Sequence, residues 1–136
     1  MNILLNKGAI IERCIRRIRD EQAACPRLDN HTHLDALILN LERACQAAID
    51  MAMHRVARAH LGVPQGAGDA FDLLAGAEVI DADLARSLKG MVGFRNVAVH
   101  QYQEIDLEVL HRILDTHLSD LVLFCQALGI RIAPEA

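Results

Sequence analysis

Apolar residues recur along this chain at the three- and four-residue steps of amphipathic helices. Ile11, Cys14, Ile15 and Ile18 mark a first helix over 3–24, with Arg13, Arg16, Arg17 and Arg19 on its other side and Pro26 as its stop. Leu34, Leu37, Ile38, Leu41, Cys45, Ala48, Ile49, Ala52 and Val56 form one unbroken stripe over 33–61, longer than the usual globular helix. Asp29 and Asn30 are suited to cap its start, and Gly62 with Pro64 to close it. A glycine- and proline-bearing loop over 63–68 leads to a short helix over 69–74, ending before Gly76. Asp81 or Asp83 then caps a fourth helix that turns Leu84, Leu88, Met91 and Val92 inward. Gly90 and Gly93 each cost that helix about 1 kcal/mol relative to Ala, which predicts a frayed or bent end just beyond them. The last helix covers 106–128, with Leu107, Leu110, Ile113, Leu114, His117, Leu118, Leu121, Cys125 and Leu128 on its core face and Gly129 as C-cap.

Four main helices and a short one predict an all-α bundle, one domain over 1–136, in which leftover apolar stripe is buried in a homodimer. Composition agrees: the chain is 52% hydrophobic but only 3% aromatic, a balance that favours packed helices over strands. A net charge of −4 excludes a polycationic nucleic-acid coat, so any such contact must come from a local arginine cluster. Cys14, Cys25, Cys45 and Cys125 have no C-x-x-C spacing and read as reduced, small apolar residues. The N-terminus lacks the apolar segment of a signal peptide, and no apolar run reaches the roughly 20 residues of a membrane span. The expected location is the cytoplasm.

Against this aliphatic background, residues 95–102 stand apart. Arg95, His100 and Tyr102, the only tyrosine, crowd into eight positions. A guanidinium can grip phosphate in a forked geometry, and an imidazole exchanges protons near neutral pH. A phenol can donate a hydrogen bond or act as a nucleophile. The bland alternative pairs Arg95 with a carboxylate, uses His100 to cap a helix end and leaves Tyr102 on a rim. On a regular helix His100 lies about 140° around from Arg95. Either the helix must end near Val99 and fold His100 back, or a second protomer must complete the site. Asn96 stands four residues before His100, at the right spacing to orient its ring.

The stretch 89–102 resembles the signature of the HepT family in the HEPN superfamily, whose R-x4-H-x-Y motif is filled here by Arg95, His100 and Tyr102. Residues 11–15, 40–52 and 71–74 resemble the family's first, second and short middle helices. The resemblance implies the toxin of a prokaryotic type VII toxin–antitoxin system: a homodimeric, all-helical, metal-independent endoribonuclease whose two motifs meet in a cleft between protomers. It implies RNA as substrate and a minimal nucleotidyltransferase as antitoxin partner, which silences the toxin by AMPylation of Tyr102. Arg95 and His100 would be catalytic, Asn96 supporting, with no cofactor and no metal. The competing reading is a non-catalytic helical dimer that binds the nucleotidyltransferase and nucleotides or RNA, and the acidic net charge favours it mildly.

Lesser candidates remain. The row Arg13, Arg16, Arg17 and Arg19, with Arg55 and Arg58, is either an RNA guide or a solvated face. His31-Thr32-His33 offers two metal ligands without a third nearby, so a solvated helix start is the expectation.

Overall fold

The computed structural model describes residues 2–100 and 105–135, with only the backbone for Val99 and His100. Its elements are α1 (Ile3–Ala24), α2 (His31–Arg58), α3 (Ala67–Gly76), α4 (Ala82–His100), α5 (Leu107–Arg112), a π-helical turn (Ile113–His117) and α6 (Leu118–Ala127), the last three forming one rod. Every described residue in regular structure is helical, as the periodicity predicts.

Short polar side chains start α1, α2, α4 and α5, each accepting backbone N–H groups that have no partner within the first turn. Asn2 Oδ1 accepts from Leu5 N at 3.1 Å, and Asn30 Oδ1 accepts from Thr32 N and His33 N at 2.9 and 3.2 Å. Asp81 Oδ1 accepts from Leu84 N at 2.7 Å, and Asp106 Oδ1 from Glu108 N at 2.9 Å. Asp29 is no cap; it accepts instead from the Cys25 thiol.

Helices α1 and α2 make the most extensive contact in the molecule. Their cross-links, Lys7 to Asp50 and His33 to Glu21, join early residues of one helix to late residues of the other, so the pair is antiparallel. The resulting core contains Ile11, Ile15, Ile18, Leu37, Leu41, Met51, Phe71, Leu74, Leu88, Leu110 and Phe124. Phe71 of α3 meets Phe124 of α6 edge to face, with ring centroids 5.4 Å apart. The four cysteines are buried and reduced.

Two local expectations need correction. Helix α4 does not end or fray at its glycines but stays helical to His100. Gly90 and Gly93 face outward into open space, while Leu88, Met91, Val92, Phe94 and Ala98 are buried around them. Packing of that apolar side outweighs a propensity penalty of about 1 kcal/mol per glycine. The last helix, read from sequence as uniform, holds the π turn. Leu110, Leu114 and Leu118 are buried four residues apart, a step that drifts about 40° on a regular helix. The wider π turn takes that drift back and keeps all three on the core. Arg19 Nη1 donates to the Leu114 carbonyl inside this turn at 2.9 Å.

The C-terminal tail returns across α1. Ile130 and Ile132 lie over Gly8, and Ala133 N donates to Glu12 Oε1 at 3.1 Å. Arg16 Nη2 donates to the Ala133 carbonyl, and Arg19 reaches Glu135. Two members of the arginine row therefore reach the C-terminal tail.

Candidate active site

Helix α4 delivers Arg95 to the flank of α2. Residue 95 sits one turn after Met91 and just before the buried Ala98, so packing of α4 holds its side chain half-buried against the neighbouring helix. There its Nη1 donates to Gln46 Oε1 at 3.0 Å. Among the described residues, no ion pair involves Arg95, and its Nε is buried without a partner. A neutral amide thus replaces the carboxylate of the bland reading. The guanidinium keeps its charge and has donors to spare, which suits the gripping of an anion.

Three further α2 side chains shape this corner. Gln46 Nε2 donates to Asp50 Oδ1 at 2.9 Å, and the other Asp50 oxygen meets Lys7 Nζ at 3.0 Å. Half-buried Glu42 has its carboxyl pushed above the ordinary range, chiefly by burial, with the Arg95 guanidinium pulling the other way. Cys45 lies beneath; burial raises its thiol to about 12, so it is no nucleophile at neutral pH. The sequence offered no signal for Glu42 or Gln46 as site residues beyond their place in the stretch 40–52.

Asn96 is exposed. His100 is the last residue of α4, one position beyond Val99. The His100 side chain lies outside the described residues, as does Tyr102 entirely. Of the sequence-predicted set, the structure therefore positions the side chains of Arg95 and Asn96.

Elsewhere, His33 Nδ1 pairs with Glu21, which gives it an occupation other than metal binding, and His117 Nδ1 pairs with Asp120 at 2.9 Å. No metal-binding group of three or more His, Cys, Asp or Glu occurs among the described residues. Two clefts of about 490 and 440 Å³ are walled by residues such as Asp81, Leu84 and Asp120, and Ile15, Leu118 and Ile132; neither includes Arg95. Among the described residues, no helix is long and apolar enough to cross a membrane.

The arrangement of α1 to α6 around Arg95 has close counterparts. A family model described as Ribonuclease HepT-like matches residues 11–128, which include Arg95 and the positions of His100 and Tyr102. The chain belongs to the HepT-like family. It is 42% identical over 124 residues to the mRNA nuclease HepT of Shewanella oneidensis, covering 90% of this chain and 93% of that relative. Its fold superimposes on a tri-AMPylated HEPN toxin of the same organism, solved in complex with an MNT antitoxin, with a TM-score of 0.90. That match has 41% identity and covers 95% of this chain and 98% of the other. A toxin–antitoxin structure with AMP-PNP matches at a TM-score of 0.88 and 41% identity, covering 94% and 99% of the two chains. The HepT-like family is thus matched in sequence and in fold over nearly the whole length.

Proposed function

We propose that this chain is the toxin of a toxin–antitoxin pair, a cytoplasmic, homodimeric endoribonuclease that cuts RNA through Arg95 and His100 and is silenced by AMPylation of Tyr102. The observation that carries the reading is Arg95, half-buried on α4 and bound to a neutral amide, with unspent donors, at the first position of the family motif. The named activity of the S. oneidensis relative, an mRNA nuclease, supports RNA as the substrate class.

The chemistry needs no group beyond the chain and its substrate. The ribose 2′-OH attacks the adjacent phosphorus and the P–O5′ bond breaks, leaving a 2′,3′-cyclic phosphate and a 5′-OH. His100 serves as general base or acid, since an ordinary imidazole pKa near 6.5 suits either role. Arg95 holds the scissile phosphate and stabilises charge developing on its oxygens. Asn96 orients a neighbour. With α4 helical through residue 100, positions 95 and 100 are about 140° apart around its axis, which supports a site completed by the second protomer.

The tri-AMPylated state of the structural relative supports regulation by a minimal nucleotidyltransferase. AMP on Tyr102, two residues from His100, would set bulk and negative charge where the substrate phosphate must enter.

The test is cleavage of an mRNA transcript in EDTA by unmodified protein beside His100→Ala. Loss of about 10²-fold or more in the variant, with an unchanged melting temperature, is expected for removal of a general acid–base. Full activity in the variant rejects the assignment, and no cleavage by AMP-free wild type favours the non-catalytic binding module. Tyr102→Phe should still cut RNA yet escape the nucleotidyltransferase; radiolabel from α-³²P-ATP on that variant would reject the modification site.

A further inference from the structure

We propose that Gln46, Asp50 and Lys7 form a directional relay that positions the Arg95 guanidinium for phosphate binding, an inference that rests on the catalytic reading of Arg95. The chain of contacts crosses three helices: Lys7 Nζ on α1 to Asp50 Oδ2 at 3.0 Å, Asp50 Oδ1 to Gln46 Nε2 at 2.9 Å, and Gln46 Oε1 to Arg95 Nη1 at 3.0 Å.

Its direction follows from what each group can do. An ionised carboxylate only accepts hydrogen bonds, and a guanidinium only donates them. Gln46 lies between the two, and its amide satisfies both in a single orientation, NH2 toward Asp50 and carbonyl toward Arg95. The reversed amide would set oxygen against oxygen on one side and donor against donor on the other. Lys7 occupies the second Asp50 oxygen and so limits how that carboxylate can turn.

The contacts lie at the molecular surface, where such bonds contribute little to stability. Positioning is a stricter demand, because a displaced catalytic group loses rate steeply even when the fold is intact. This contrast separates a positioning role from a structural one. Gln46, Asp50 and Lys7 are positioning residues; none is required to touch the substrate.

The experiment measures kcat/KM for a labelled mRNA transcript and the melting temperature of the full chain. Arg95→Ala should be inactive. Gln46→Met, which keeps length but removes both polar atoms, should lose about tenfold in kcat/KM with its melting temperature unchanged, the size expected for one bond to a charged group. Gln46→Glu alone sets two carboxylates against each other. Combined with Asp50→Asn it rebuilds the line with polarity exchanged, because the new amide at 50 donates to the new carboxylate at 46, and it should regain most of the lost rate. Should that pair melt early, Asp50→Ala replaces it: the freed amide can turn over, and a loss matching that of Gln46→Met is expected. Wild-type rates in Gln46→Met while Arg95→Ala is dead overturn the relay alone. A loss in Gln46→Met that neither the exchanged pair recovers nor Asp50→Ala reproduces reduces Gln46 to a packing residue and also overturns it. An active Arg95→Ala overturns the catalytic reading, and the relay with it.

Discussion

Arg95 illustrates how residue type and residue position carry different information. Its candidacy was legible because arginine, histidine and tyrosine crowd into one short stretch of an aliphatic chain. Its partners were not: Gln46 is 49 positions away, and Glu42 further still, and only the packing of α4 on α2 brings them to the guanidinium. Glu42 provides a probe of that neighbourhood that does not depend on catalysis. Burial holds its carboxyl above the ordinary range and the Arg95 charge partly offsets this, so removing the charge should move it further up. A carboxyl titration by NMR should find the Glu42 pKa higher in Arg95→Ala than in wild type. An unchanged value would separate the two residues.

At the scale of helices, the same substitution should act in opposite directions at two glycines. Gly90 lies in the interior of α4, and a Cβ there meets nothing within 4 Å. Gly90→Ala should therefore gain up to about 1 kcal/mol of stability. At Gly8 of α1 an added Cβ would stand 2.6 Å from Ile130 Cγ2, under the returning tail. Overpacking of this kind costs about 1–3 kcal/mol and outweighs the helix gain, so Gly8→Ala should destabilise. Ile130→Ala should relieve that clash, so a double-mutant cycle in urea should show the two changes coupled; additive effects would contradict the contact. Helix starts were the most legible part of these elements, since Asn30, Asp81 and Asp106 cap as their types predict. The π turn was not legible, because a four-residue apolar spacing is written identically whether the backbone winds regularly or widely.

The described residues build one apolar core with the C-terminal tail across α1, and Arg95 lies on the flank of α2. Its buried thiols tie stability to alkaline pH. Burial raises Cys45 and Cys125 from an ordinary value near 9 to about 12 each. Between those values the native protein retains protons that the unfolded chain has released, so stability must fall as pH rises. The loss is about 1.4 kcal/mol per pH unit for each thiol, and none is expected from them below about pH 9. Urea unfolding at pH 8 to 11 should show a shallower decline in Cys45→Ala than in wild type; parallel declines would show that this thiol is not held protonated. The helical class, the order of the helices, the caps Asn30, Asp81 and Asp106 and the motif were determined by the sequence alone, because periodicity, propensity and residue type are local properties. Only the tertiary structure decided that α4 survives its glycines, that Arg16 and Arg19 fasten the tail, and that Arg95 meets a neutral amide. Each of those outcomes depends on which distant surfaces come together when the helices bury their apolar faces, and no local pattern records that.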